Sequence, residues 1–376
     1  MDIEFGLLST HPPTRCGLAT FNAALAAELT SAGSGGVVRV IPTGDDRRAA
    51  AGVVHSWSEG DVAGWRAGAD ALNAFDVAVV QHEYGIYPGR DGADVVHLLR
   101  RLTVPSIVVL HTVLAQPTPN QKLVLEQVVA AAGAVVTMTG SGRDRLLLGY
   151  AVDPGKVSVI PHGVADHSGA PARARRSNLL TWGLLGPGKG IEWALRAMAR
   201  LRDLDPAPTY TVAGQTHPKV VEREGEAYRE RLERLGAMLG ISDAVTYLAG
   251  YQDAATLHAL IGSADVVVLP YDSREQVTSG VLIEAVAAGI PVVATAFPHA
   301  VELVTDGRGA IVPHQDSAAL AAAIRQVLTR PGLPASAPSA EPVASTLHWP
   351  VVAGRYAALA RRLIQAGSST VRAASA

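Results

Sequence analysis

The feature that most limits what this chain can fold into is a rhythm of apolar runs and helical stretches that starts, stops and starts again. Runs of strand length recur at 3–8, 37–41, 77–81, 106–111, 134–138 and 157–160, with helical segments such as 18–29 and 121–132 between them. A polar stretch rich in Ala, Arg and Pro follows at 166–178. A second series then opens at 179–185, 210–213, 245–248, 265–269, 291–295 and 309–312. Strands that alternate with helices predict parallel sheets in α/β layers. The restart after a linker predicts two such domains, 1–166 and 178–330, in keeping with a length of 376 residues, more than one core usually organises. The tail departs from the rhythm. Residues 330–345 read as a surface loop rich in Pro, Ala and Ser, 348–365 as an amphipathic helix led by Trp349, and the last ten residues as frayed.

Composition narrows the function classes. Hydrophobic residues at 48% and charged residues at 18% describe a soluble globular chain with a large core, and a net charge of −2 gives no footprint for nucleic acid. No apolar run reaches the roughly 18 residues of a membrane span. The opening MDIEFGLLST runs into a strand without a basic leader. Cys16, the single cysteine, excludes an internal disulfide and a cysteine-based metal cluster. These readings point to the cytoplasm. Contact with a membrane surface stays open, although no polybasic stripe argues for it.

The richest local signal is the stretch from Pro270 to Ala285, PYDSREQVTSGVLIEA. A buried strand runs into a polar turn, and the turn opens a helix that stops at Gly289. Thr278, Ser279 and Gly280 are small and sit where the helix offers unpaired N–H groups and its positive dipole end, so an anion such as phosphate suits the place. Glu284 lies a turn further in, within reach of a sugar hydroxyl on the same ligand. The segment also reads as an ordinary strand–turn–helix unit.

A second phosphate cradle opens the second series. From Thr181 to Glu192 the chain reads TWGLLGPGKGIE, a strand, a glycine-rich turn containing Gly186, and a helix. Lys189 is one of only four lysines, with Lys122, Lys156 and Lys219. The spacing from Gly183 to Lys189 meets most of the P-loop pattern, but Gly190 stands where the magnesium-binding hydroxyl belongs, which argues against an NTPase. No G-x-G-x-x-G follows a strand, which counts against a nicotinamide enzyme.

In the first series, two strands end in histidine, at Gln81-His82-Glu83 and at His111, and strand C-termini form the ligand crevice of an open parallel sheet. The loop after the first strand, STHPPTRCGLAT, carries Arg15, Cys16 and Gly17. Asp203 and Asp205 form a D-x-D, but they read as a solvated helix end before Pro206. Twelve histidines without H-x3-H spacing predict no metal site.

Taken in order, these segments resemble glycosyltransferase family 4 (group 1, retaining). The resemblance spans almost the whole chain and implies the GT-B fold: two Rossmann-like domains facing each other across a cleft, with the tryptophan-led helix crossing back to the first. It implies a retaining hexosyltransferase that takes a UDP- or GDP-sugar and a carbohydrate or small-molecule hydroxyl acceptor, with no cofactor. The Pro270–Ala285 segment resembles the E-x7-E signature, whose first glutamate faces the donor sugar and whose second holds the ribose. Counting back from Glu284 gives Gln276, with Glu275 one place early, so either could face the sugar. The glycine–lysine loop resembles G-R-L-x3-K-G, with Lys189 on the diphosphate and Leu184 where the arginine belongs; Arg274 is a candidate substitute. The first loop resembles P-P-x2-G-G with only Gly17 retained. His111 matches the histidine that faces the donor sugar, while Arg15, His82 and Glu83 fall on the acceptor side. Residues 159–164, VIPHGV, resemble I-P-N-G-V with His162 for asparagine. Segments 212–219 and 247–251, the latter ending in Tyr251, match loops that bracket the base. Two other classes stay open: a sugar-nucleotide epimerase or hydrolase on the same body, and a catalytically silent binding protein, which the changes at Leu184 and Gln276 suggest.

Overall fold

The computed structural model describes residues 2–30, 35–42, 44–48, 50–166, 177–304, 309–330 and 345–374, with backbone alone from 368 onward. The expected linker at 166–178 and tail loop at 330–345 lie almost wholly outside the described residues. The chain forms two compact units, Met1–Gly163 with Leu347–Ala376, and Val164–Thr346.

The first unit is built on a seven-stranded sheet: β1 (Phe5–Ser9), β2 (Gly35–Ile41), β3 (Val53–Ser58), β4 (Val77–His82), β5 (Ser106–Leu110), β6 (Ala134–Thr137) and β7 (Val157–Val159). The order is β3-β2-β1-β4-β5-β6-β7 and every pairing is parallel. A parallel sheet covered on both faces needs runs without alternation, and β1 and β4 are buried at every position. β3 was not legible as a strand. It sits at the sheet edge with alternating burial and a polar VVHSWS sequence, so it lacks the continuous apolar run that marks its neighbours. The final helix, Trp349–Ala374, belongs to this unit: Val352, Tyr356, Leu359 and Ala360 join Leu7, Phe21, Val79 and Val109 in one core. It runs past 365, where the sequence suggests fraying; the stretch 366–374 holds no proline to interrupt the backbone bonds.

The second unit holds six parallel strands: β8 (Asn178–Trp182), β9 (Thr209–Ala213), β10 (Val245–Leu248), β11 (Val266–Leu269), β12 (Val292–Thr295) and β13 (Gly309–Val312). Their order is β10-β9-β8-β11-β12-β13. Separate apolar clusters cover its two faces, one around Leu195, Tyr210, Val268 and Ile324, the other around Leu180, Leu269, Leu282 and Phe297. Both sheets thus reverse winding direction once, between β1 and β4 and between β8 and β11. Loops leaving the C-terminal ends of the strands at such a point diverge and leave a crevice. That topology selects the loops after β1 and β4 in one unit and after β8 and β11 in the other.

Asp203 and Asp205 do not end a helix. The helix Ile191–Met198 stops earlier, and Asp203 forks onto Arg325 at 2.7 and 2.8 Å in a surface pair.

Candidate functional site

In the second unit the loops after β8 and β11 are knitted together. Gly183 turns the chain out of β8 with φ 112°, and Gly188 and Gly190 take φ 90° and 64°. A Cβ on Gly190 would lie 1.8 Å from the Pro270 carbonyl oxygen, so only glycine lets the loop press on the end of β11. The Asp272 N–H donates to the Gly188 carbonyl at 2.9 Å, and the Trp193 indole donates to the Asp272 carboxylate at 3.0 Å. Lys189 is half-buried, and its ammonium lies 4.4 Å from the centroid of the Tyr271 ring. The same ring is stacked on Phe297, with centroids 5.2 Å apart.

The helix Gly280–Ala287 begins as the sequence requires of an anion site. Ser279 is its N-cap, with its hydroxyl accepting from the Leu282 N–H at 3.2 Å. The Ser279 N–H, however, is already engaged: it donates to Nδ1 of His299 at 2.8 Å. The Ser279 amide is therefore taken, while Gly280 and Val281 stand at the start of the helix, where the first N–H groups have no partner inside it. Gln276 is half-buried and its side-chain amide donates to the Thr278 carbonyl at 3.1 Å, whereas Glu275 and Arg274 are exposed. Glu284 is half-buried on the same helix. Gly186 lies at the start of the lysine loop, buried against Val220. Tyr251 is 39% exposed at the end of the β10 loop.

In the first unit the strand ends carry a neutral polar set. His111 follows β5, and its Nε2 lies 2.9 Å from Oε1 of Gln81; with that oxygen accepting, Nδ1 is left as an acceptor. Burial, reinforced by His162 and His82, draws the His111 pKa down to about 3. His82 is wholly buried, and neither ring nitrogen has a partner among the described residues; burial lowers it to about 4. It therefore lies beneath the surface on which the sequence places an acceptor contact. Glu83 ties its own loop to the one after β5, accepting from Thr112 Oγ1 at 2.5 Å and from the Tyr84 N–H at 3.0 Å. Burial, with Arg39 nearby, also lowers His11, which hydrogen-bonds Asn22 at 3.3 Å.

Cys16 stands where the family places a glycine, and the structure gives it a different task. It is the N-cap of the helix Gly17–Leu29, with its sulfur accepting from the Ala19 N–H at 3.4 Å. Gly17 is exposed, as is Arg15 beside it, and a Cβ there would meet nothing within 4 Å, so packing within the unit does not demand glycine. His162 packs in an aromatic cluster with Phe21 and Trp349, both rings also edge-on to Phe21.

Sequence reasoning missed the residues behind the second-unit loops. Tyr271, Phe297 and His299 carry no motif, and Thr295, whose hydroxyl donates to the Tyr271 carbonyl at 2.6 Å, reads as strand. The one available signal was an aromatic and a histidine following an apolar strand at the same sheet end.

Comparison with known proteins gives the same picture. The family described as Glycosyl transferases group 1 matches residues 176–330. A D-inositol 3-phosphate glycosyltransferase of Stackebrandtia nassauensis is 36% identical over 231 residues, 57% of this chain and 50% of the relative, so the chain spans half of that protein's length. A protein of the same name from Frankia alni is 30% identical over 302 residues, 69% of this chain and 71% of the relative. Among solved structures, Anabaena HepE in complex with UDP and glucose matches with a TM-score of 0.74 at 16% identity, covering 95% of this chain and 99% of the other. At that identity the likeness concerns the fold, which is GT-B. Motif order, strand order and these likenesses agree, and the chain belongs to the group 1 family of glycosyltransferases.

Proposed function

We propose that this protein is a retaining, metal-independent glycosyltransferase that moves a hexose from a UDP- or GDP-sugar to a hydroxyl acceptor. The observation that carries the reading is the meeting of the Lys189 loop with the turn before the Gly280–Ala287 helix at the reversal point of the second sheet. A lysine loop and the N-terminus of a helix, with its amides and dipole, meet there, which is the charge pattern a diphosphate needs. The HepE complex with UDP supports a uridine donor, and the relatives named D-inositol 3-phosphate glycosyltransferase support a polyol acceptor.

In the proposed reaction the bond between the anomeric carbon and the diphosphate oxygen breaks while the acceptor oxygen bonds the same carbon from the same face. The acceptor proton passes to the departing phosphate oxygen. Lys189 and the Gly280 and Val281 amides stabilise the charge growing on the diphosphate, with Arg274 as the proposed second cation in place of Leu184. Gln276 is proposed to contact the sugar and Glu284 the ribose; the half-buried, turn-anchored Gln276 supports that register over the exposed Glu275. Neutral His111 is proposed to accept a hydrogen bond from a sugar hydroxyl through Nδ1. The exposed Gly17, unneeded by packing, suits close approach of a ligand to the backbone. Metal independence is part of the proposal, because Lys189 and the helix amides would supply the charge that a divalent ion supplies elsewhere. Among the same residues no helix is long and apolar enough to cross a membrane, and the cytoplasm is the proposed compartment.

Thermal-shift titration with UDP, GDP, ADP and their sugars, followed by transfer assays on polyol acceptors, tests the reading. A uridine or guanosine diphosphate that stabilises the protein, together with an extended product, supports it. Binding without turnover would favour the silent relative, and release of free sugar the hydrolase.

A further inference from the structure

The turn that precedes the Gly280–Ala287 helix is held at both ends by one residue. The backbone N–H of His299 donates to the Gln276 carbonyl at 3.3 Å, and its Nδ1 accepts from the Ser279 N–H at 2.8 Å. His299 is 3% exposed and Ser279 likewise 3%, so this pairing is sheltered from water. Residues just before His299 serve the same turn: Thr295 Oγ1 donates to the Tyr271 carbonyl at 2.6 Å, and Phe297 stacks on the Tyr271 ring. The segment from the last residue of β12 to His299 therefore grips the loop after β11 at its start, at its aromatic ring and at its end.

We propose that His299 is a positioning residue of the donor site, fixing the Gln276–Ser279 turn so that the Gly280 and Val281 amides, and not the Ser279 amide, face the diphosphate. The inference rests on the reading of this unit as the donor site. Its physical basis is that a buried N–H without an acceptor is costly, so the turn keeps its shape only while Nδ1 accepts. An accepting Nδ1 fixes the neutral tautomer with the proton on Nε2. With the imidazole replaced by a side chain that cannot accept there, the Ser279 N–H is best satisfied by rotating outward, which competes with the helix for the phosphate and carries Gln276 away from its place on the Thr278 carbonyl.

The two amide side chains separate this role from simple packing. In His299→Asn the amide oxygen falls near the position of Nδ1; in His299→Gln it falls near that of Nε2. Calorimetric affinity for UDP and GDP, kcat and KM for the preferred donor, and Tm are measured for wild type and both variants. The expected result is near-wild-type affinity and KM for His299→Asn and about a tenfold weaker Kd and higher KM for His299→Gln, at similar Tm values for the two variants. Equal affinities in all three proteins, or equal losses in both variants that follow Tm, would overturn the role of His299. If the wild type binds neither nucleotide, the donor-site reading itself falls and this inference with it.

Discussion

The Lys189 ammonium lies 4.4 Å from the centre of the Tyr271 ring, a ring stacked on its other neighbour, Phe297, at 5.2 Å. The lysine that a glycine loop presents is thus rested against an aromatic face that the core holds still. Attraction between an ammonium and a tyrosine face amounts to about 0.5–2 kcal/mol, enough to orient a long side chain before a ligand arrives.

Replacing that ring separates its face from its hydroxyl. The Tyr271 hydroxyl is buried, and among the described residues nothing partners it. Tyr271→Phe is therefore expected to keep nucleotide affinity within about twofold and to leave stability unchanged or slightly higher. Tyr271→Leu loses the face and is expected to weaken nucleoside diphosphate binding about 2- to 30-fold. Calorimetry on both variants checks this, and equal affinities would show that the aromatic face does not matter.

Three substitutions decide the register of the E-x7-E-like segment. Glu284→Ala is expected to weaken both nucleotide and nucleotide-sugar by about 1.5–3 kcal/mol, as for a lost charged hydrogen bond. Gln276→Ala is expected to lower turnover and sugar selection while sparing the bare nucleotide. Glu275→Ala, at an exposed position, is expected to be mild. Turnover lost with Glu275→Ala and kept with Gln276→Ala would shift the register by one residue.

Two histidines of the first unit, His82 wholly buried and His111 half-buried, predict acid sensitivity. His82 and His111 are held neutral, with pKa values near 4 and 3, while the unfolded chain takes up protons near 6.5. Between those values the unfolded state binds more protons, so stability is full above about pH 6.5 and is lost as pH falls toward 4. For the wholly buried His82 the loss reaches about 2 kcal/mol at pH 5. Denaturant midpoints from pH 7.5 to pH 5 measure the slope, and His82→Leu is expected to flatten it. A wild-type midpoint independent of pH would contradict the burial argument.

Initial transfer rates are expected to be unchanged by EDTA, since lysine and helix amides supply the charge that a divalent ion supplies elsewhere. Loss of activity restored by magnesium or manganese would assign that charge to a metal.

Much of this was legible in the sequence for a physical reason. Strands buried on both faces must be continuous apolar runs, so β4, β5, β11 and β12 announce themselves, and glycines at positive φ mark the turn that brings Lys189 to the strand end. The edge strand β3 was hidden because one of its faces is wet. Tyr271 and His299 were hidden for another reason. They act on the site through contacts with residues distant in sequence, His299 across 20 positions to Ser279, and no local pattern encodes such a contact. Cys16 shows the converse: a departure from a family motif whose meaning, a helix cap, only the local geometry reveals.

The central claim is that Lys189 and the helix beginning at Gly280 bind the donor diphosphate, and the most direct measurement is the effect of Lys189→Ala on transfer rate and on UDP and GDP affinity, with Lys219→Ala as the control. The account predicts a folded variant whose transfer is slower by roughly a hundredfold, in line with about 3 kcal/mol of lost charge stabilisation, and whose nucleotide binding is clearly weaker, beside a nearly normal control. A Lys189→Ala protein that turns over and binds nucleotide like the wild type would contradict it.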